Sequence, residues 1–115
     1  MNRNHKKTEA SLVKALTLAC EEIKSWEVGF SWLTHTVDYP HFPQSLVITC
    51  VFETDENVQT MINTSQDIRL RAEITSQLKR AQLLLQNPQQ HIALDSEQSC
   101  HREHQGNWRK RLEGG

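Results

Sequence analysis

The segment from Leu46 to Thr54 constrains the fold more than any other. Read as a strand, it sets Leu46, Ile48, Cys50 and Phe52 on one face and Val47, Thr49, Val51 and Glu53 on the other. A strand needs a paired neighbour, and Phe30 to Tyr39 supplies one, being rich in the β-branched and aromatic residues that suit a pleated surface. Gly29 separates this strand from what precedes it, and Pro40 and Pro43 make Pro40 to Ser45 an exposed connection, because proline donates nothing to a ladder.

The apolar face of such a sheet has to be covered. Upstream, Leu12, Leu16, Ala19, Cys20 and Ile23 recur at helical intervals, with Thr8 placed to cap the helix and Glu9 suited to its first turn. Downstream, Asp55 is expected to cap a short helix containing Val58, Met61 and Ile62, interrupted at Asn63, Thr64 and Ser65. A longer helix over 66–86 then aligns Leu70, Ile74, Leu78, Ala81 and Leu85. Asn87 and Pro88 stop it, and His91 to Leu94 is expected to complete the sheet. Asp95 or Ser96 caps a last short helix that Gly106 ends. The expected fold class is α+β, a three-stranded sheet covered by helices in the order α, β, β, broken α, β, α. Residues 1–7 read as a basic flexible arm, 8–112 as one domain and 113–115 as a disordered tail.

Charge and cysteine narrow the setting. Arg3, Lys6 and Lys7 give the start of the chain +3, and Arg109, Lys110 and Arg111 less Glu113 give its end +2, while residues 8 to 107 carry −6. Nucleic-acid affinity comes largely from neutralised phosphates, so contact through this acidic body is expected to be weak, salt-dependent and confined to the basic ends or one helix face. Cys20, Cys50 and Cys100 form no Cys-x-x-Cys pair and read as reduced core or edge residues. With apolar runs of only a few residues and no apolar leader, the chain reads as a cytoplasmic protein without a membrane partner.

Two resemblances add to this reading. The element order is similar to the type II KH domain, in particular ribosome-binding factor A, over residues 9 to 94, which implies the fold and an RNA-facing turn between paired helices. Asn63, Thr64, Ser65 and Gln66 occupy that turn, which lacks the glycine of the family. Separately, Gly29-Phe30-Ser31-Trp32-Leu33-Thr34-His35, the stretch from Asp38-Tyr39 to Phe42-Pro43, and Asp95-Ser96-Glu97 with Cys100, Glu103-His104 and Gly106-Asn107-Trp108 resemble a group of short proteobacterial proteins labelled Fis-family transcriptional regulators. That label implies DNA binding by a helix-turn-helix, whereas the C-terminal residues here read as a strand followed by one short helix.

Chemistry, if any, would gather where reactive side chains are densest. Asp95, Glu97, Cys100, His101, Glu103 and His104 follow His91, and Cys100 and His104 stand four residues apart on a helix, a spacing that can chelate a metal or pair a thiol with a base. A third ligand or an orienting group is not specified, so no catalytic residue, cofactor or metal is assigned; a metal- or thiol-dependent protein centred on Cys100 and His104, with His91 as a further ligand, is the alternative to a non-enzymatic regulatory or interaction module. Recognition candidates are Tyr39, His41 and Phe42 in the proline-bounded loop, Arg69 and Arg80 on one face of the long helix, and Arg109, Lys110 and Arg111 near the end. Partners are nucleic acid or another protein. An ion pair between Arg69 and Glu73 is expected on the exposed side of the long helix.

Overall fold

The structure, a computed structural model, describes the backbone of residues 3–114 and the side chains of residues 5–113. It is an α+β fold with the expected order, extended by one helix: α1 (Arg3–Lys24), β1 (Phe30–Thr36), β2 (Val47–Phe52), α2 (Asp55–Asn63), α3 (Gln66–Arg80), β3 (Ile92–Ser96), α4 (Glu97–His104) and α5 (Trp108–Gly114). The sheet order is β1-β2-β3, with β1 antiparallel and β3 parallel to β2.

One sheet face carries the core. Ile48, Cys50 and Phe52 from β2 meet Leu12, Leu16, Ala19 and Ile23 from α1 and Leu70, Ile74 and Leu78 from α3, all buried. Burial of this apolar surface is the main source of stability. A bulge at Ser31 shifts the β1 register, so that both Phe30 and Leu33 point to this side. Trp32, Val51 and Asp95 lie abreast on the opposite face, where α5 covers them.

Several boundaries differ from expectation for identifiable reasons. Of the arm expected over 1–7, residues 1–2 lie outside the described residues and Arg3 to Lys7 is the start of α1, so Thr8 is interior; the His5 ring stacks on Tyr39 with centroids 5.4 Å apart and ties this end to the loop. The cap of α2 is Thr54 and not Asp55: Thr54 Oγ1 accepts from the Asn57 N–H, Asn57 Oδ1 accepts from the Thr54 N–H, and the Asp55 carboxylate is directed to α4 instead. Strand β1 stops at Thr36, because Tyr39–His41 forms a 3-10 turn closed by Ser45, whose Oγ joins both main-chain groups of Asp38.

The long helix ends at Arg80 and not at 86. Gln82 adopts φ 62° and Leu83 N–H donates to the Leu78 carbonyl, so the chain turns back and returns Leu83 and Leu85 to the core edge. Ser96 is the cap of α4, its Oγ accepting from Ser99 N–H at 3.0 Å. The largest departure is α5. Gln105 and Gly106, at φ 53° and 81°, reverse the chain after α4, and a second helix follows that runs through 113 and 114 of the expected tail, with residue 115 outside the described residues. Two short helices joined by a tight turn are therefore present where one was expected. Among the described residues no helix is long and apolar enough to cross a membrane.

Candidate binding surface

The reactive C-terminal side chains are absorbed by packing and pairing. Ser96 and Ser99 hydroxyls and the Arg102 guanidinium converge on the Asp55 carboxylate, with Arg102 Nη1 at 2.9 Å, and these bonds hold its pKa down to about 2. Glu97 accepts from both indoles, Trp32 Nε1 at 3.2 Å and Trp108 Nε1 at 2.5 Å, while the two rings meet edge to face with centroids 4.9 Å apart. Arg111 makes a two-pronged contact with Asp95, at 2.7 and 2.9 Å, and reaches Glu103 at 3.0 Å; these carboxylates raise its pKa and keep it charged. Arg111 is thus a clasp between α5 and β3.

Cys100 points inward and is buried, and burial holds its thiol above the ordinary value, the opposite of what a thiolate nucleophile or ligand needs. Cys50 is pushed up to about 12 by the same cause. His104 Nδ1 lies 3.2 Å from Arg111 Nη1, and His91 Nδ1 meets the Leu46 carbonyl at 2.8 Å, tying the start of β3 to β2. Among the described residues no three His, Cys, Asp or Glu side chains gather as metal ligands. The nearest thing to a shared site, Cys100 with His104, is divided by packing, one side chain inside and the other in the Arg111 network.

The loop candidates separate as well. Tyr39 is stacked between His5 and Phe42, its hydroxyl buried without a hydrogen-bond partner among the described residues, and Phe42 packs against the core. His41 is exposed and bonded to Asp38 at 2.6 Å. Only His41 faces solvent fully enough to meet a partner.

The cations of α3 also divide by what they touch. Arg69 lies over the Trp26 ring at 3.8 Å, and Glu73 accepts from Gln77, so the Arg69–Glu73 ion pair expected from spacing gives way to a cation–π contact. Arg71 turns to the other side, donates to the carbonyls of Gln89 and Ile92 at 2.8 and 2.6 Å, and stands 3.7 Å from Asp67. By gripping those carbonyls it fixes segment 83–91 alongside α3.

Between α3 and that segment lies a groove of about 950 Å³, lined by the apolar side chains of Ile68, Ala72, Leu85 and Pro88 and by the cations Arg71, Lys79 and Arg80. No carboxylate lines it. A second groove of about 370 Å³, between α1 and α3, shares Arg80, adds Lys14 and Leu18, and also lacks a carboxylate. Lys14, Lys79 and Arg80 are exposed, and among the described residues none is ion-paired. Sequence reading named Arg80 but missed Lys14 as its companion, because only the packing of α1 against α3 brings those two together. Arg109 and Lys110 are exposed elsewhere, on α5, with Arg109 paired to Glu113 at 3.2 Å.

No family model, curated protein or solved structure matches the chain. What the molecule offers a partner is a grooved, basic and apolar face on an otherwise acidic body.

Proposed function

We propose that the protein is a small non-enzymatic interaction or regulatory module of the bacterial cytoplasm, engaging its partner through the face built by α1, α3 and segment 83–91. The observation that carries this reading is the pairing of charges. In the C-terminal region reactive groups are turned against one another, whereas Lys14, Lys79 and Arg80 stand beside exposed aliphatic side chains with no carboxylate among the lining residues. Unpaired cations beside uncovered apolar surface suit recognition better than catalysis. Capture of a partner from native lysate by the parent chain, lost when Lys79 and Arg80 are reversed to Glu, tests it; capture that is indifferent to this change overturns it.

Nucleic-acid or ribonucleoprotein contact is a weaker component of the same reading. Arg111 is held by Asp95 and Glu103, Arg71 by main-chain carbonyls, and Arg69 by Trp26, so the cations left to meet phosphate are spread along the molecule, from Lys6 and Lys7 through Lys79 and Arg80 to Lys110. On the α5 side only Arg109 and Lys110 remain, and the inward set of Trp108 and Arg111 leaves that short helix little surface with which to enter a groove of DNA. Binding to oligonucleotides is expected to fall with salt at a logarithmic slope no steeper than roughly −4, the value for about four neutralised phosphates. Titration of duplex and single-stranded probes at several salt concentrations measures it. Tight, sequence-selective binding that survives high salt would favour the regulator label carried by the resembling proteins.

A further inference from the structure

We propose that the groove between α3 and segment 83–91 docks an acidic peptide bearing aliphatic side chains; the proposal rests on the interaction-module reading and names its partner class. Charge supplies the first argument. Residues 8 to 107 carry −6, yet this groove and its neighbour contain Lys14, Lys79 and Arg80 and no Asp or Glu. Asp67 pairs with Arg71 at one end of the groove, and the remaining cations of the strip select carboxylates and disfavour basic partners.

Apolar exposure supplies the second. Ile68 is 66% exposed, Leu84 73% and Leu18 45%, all on or beside the two grooves. Covering them with Leu or Ile side chains removes apolar surface from water on both partners. The groove is also preformed: Arg71 pins segment 83–91 through two carbonyls, and the turn at Gln82 fixes the direction in which that segment leaves α3. A rigid wall lowers the ordering cost of binding.

The lining argues against other occupants. No aromatic side chain lines either groove, so bases of a single strand find no stacking platform. A flat bilayer would cover the exposed Ile68 and Leu84 but not reach the half-buried Leu85 and Pro88 within the groove. A peptide chain, with carboxylates set toward Lys79 and Arg80 and aliphatic side chains on the apolar lining, satisfies both chemistries at once.

The test selects a displayed random-peptide library on the full chain and measures the synthesised consensus peptide by calorimetry. Selected peptides are expected to be enriched in Asp, Glu, Leu and Ile. Lys79→Glu with Arg80→Glu should weaken binding by about tenfold or more, Ile68→Ser should weaken it with the melting temperature unchanged, and Arg109→Glu with Lys110→Glu should leave it within about twofold. No acidic enrichment, or affinity indifferent to Lys79, Arg80 and Ile68, overturns the proposal. Displacement of the peptide by poly-dT or by anionic-lipid vesicles assigns the groove to those ligands and overturns it too. If peptides bind but map elsewhere, the groove falls while the interaction-module reading stands; if no peptide is selected and lysate yields no partner, both fall.

Discussion

The C-terminal clasp and the α3 groove are both rich in cations, and they differ in where those cations are directed. Around α4 and α5, Arg111 lies between Asp95 and Glu103 and Arg102 on Asp55, so charge is used to hold α5 to β3 and α4 to α2. Beside α3, Lys79 and Arg80 have no carboxylate among the lining residues to hold. Residue type alone does not separate charge paired within the fold from charge left exposed; the neighbours do.

That contrast can be broken most sharply at Trp108. Trp108→Ala removes the edge contact with Trp32 and one of two donors to Glu97, and is expected to cost about 3 kcal/mol, lowering the melting temperature by roughly 10 °C. Arg111→Ala comes next. With side chains 15% and 22% exposed, Arg111 and Asp95 form a largely desolvated pair, and removing one partner should cost about 2 kcal/mol by denaturant titration. Arg111→Lys should recover little, since an ammonium cannot reproduce the two-pronged geometry.

Acid sharpens the comparison further. Because the Asp55 pKa is lowered in the folded state to about 2, its contribution is in place above the ordinary carboxylate value and is lost as pH falls from there through about 2. Asp55 is partly exposed, and solvent screening keeps this below about 1 kcal/mol. Asp55→Asn should abolish that acid-sensitive component, seen as Trp fluorescence or melting temperature followed from pH 5 downward.

Comparable in size is the expected effect of Lys79→Glu with Arg80→Glu on stability, about 1 kcal/mol, which comes from carboxylates placed at the C-terminal end of α3 and not from a lost ion pair among the described residues. A large loss would place these cations with the clasp. Finally, protein purified without an affinity tag is expected to hold no stoichiometric metal, and Cys100→Ser with His104→Ala to leave metal content unchanged. Stoichiometric metal lost in the double variant would transfer function to that pair.

Periodicity made much of the fold legible. Leu46 to Phe52 and the stripes of α1 and α3 carry their faces in their spacing, and the sheet follows once these must be buried together. The end of α3 was hidden because Leu85 continues the stripe in sequence, while the residue that turns the chain is Gln82, a type that gives no warning of positive φ. Helix α5 was hidden for another reason. Its inward face includes Arg111, which reads as a solvated charge until Asp95 is seen beneath it. The groove was least legible of all, since one wall is the non-periodic segment 83–89 and its neighbour is closed by a different helix, α1.

The parallel pairing of β3 with β2 has a kinetic consequence. Strands β1 and β2 are neighbours in the chain and can zip from their connecting loop, but β3 reaches β2 only after all of α2, α3 and segment 81–91 has been laid across the gap. Closing so long a stretch costs chain entropy before any ladder bond repays it, so β3 is expected to join late in folding. Until then the second edge of β2 stands open, and Val51, fully buried in the finished molecule, lacks its neighbour Asp95 and the helix that Asp95 anchors. A chain emerging from synthesis is therefore expected to form its hairpin and first helix before it can seal that edge, which waits for residues 92–114.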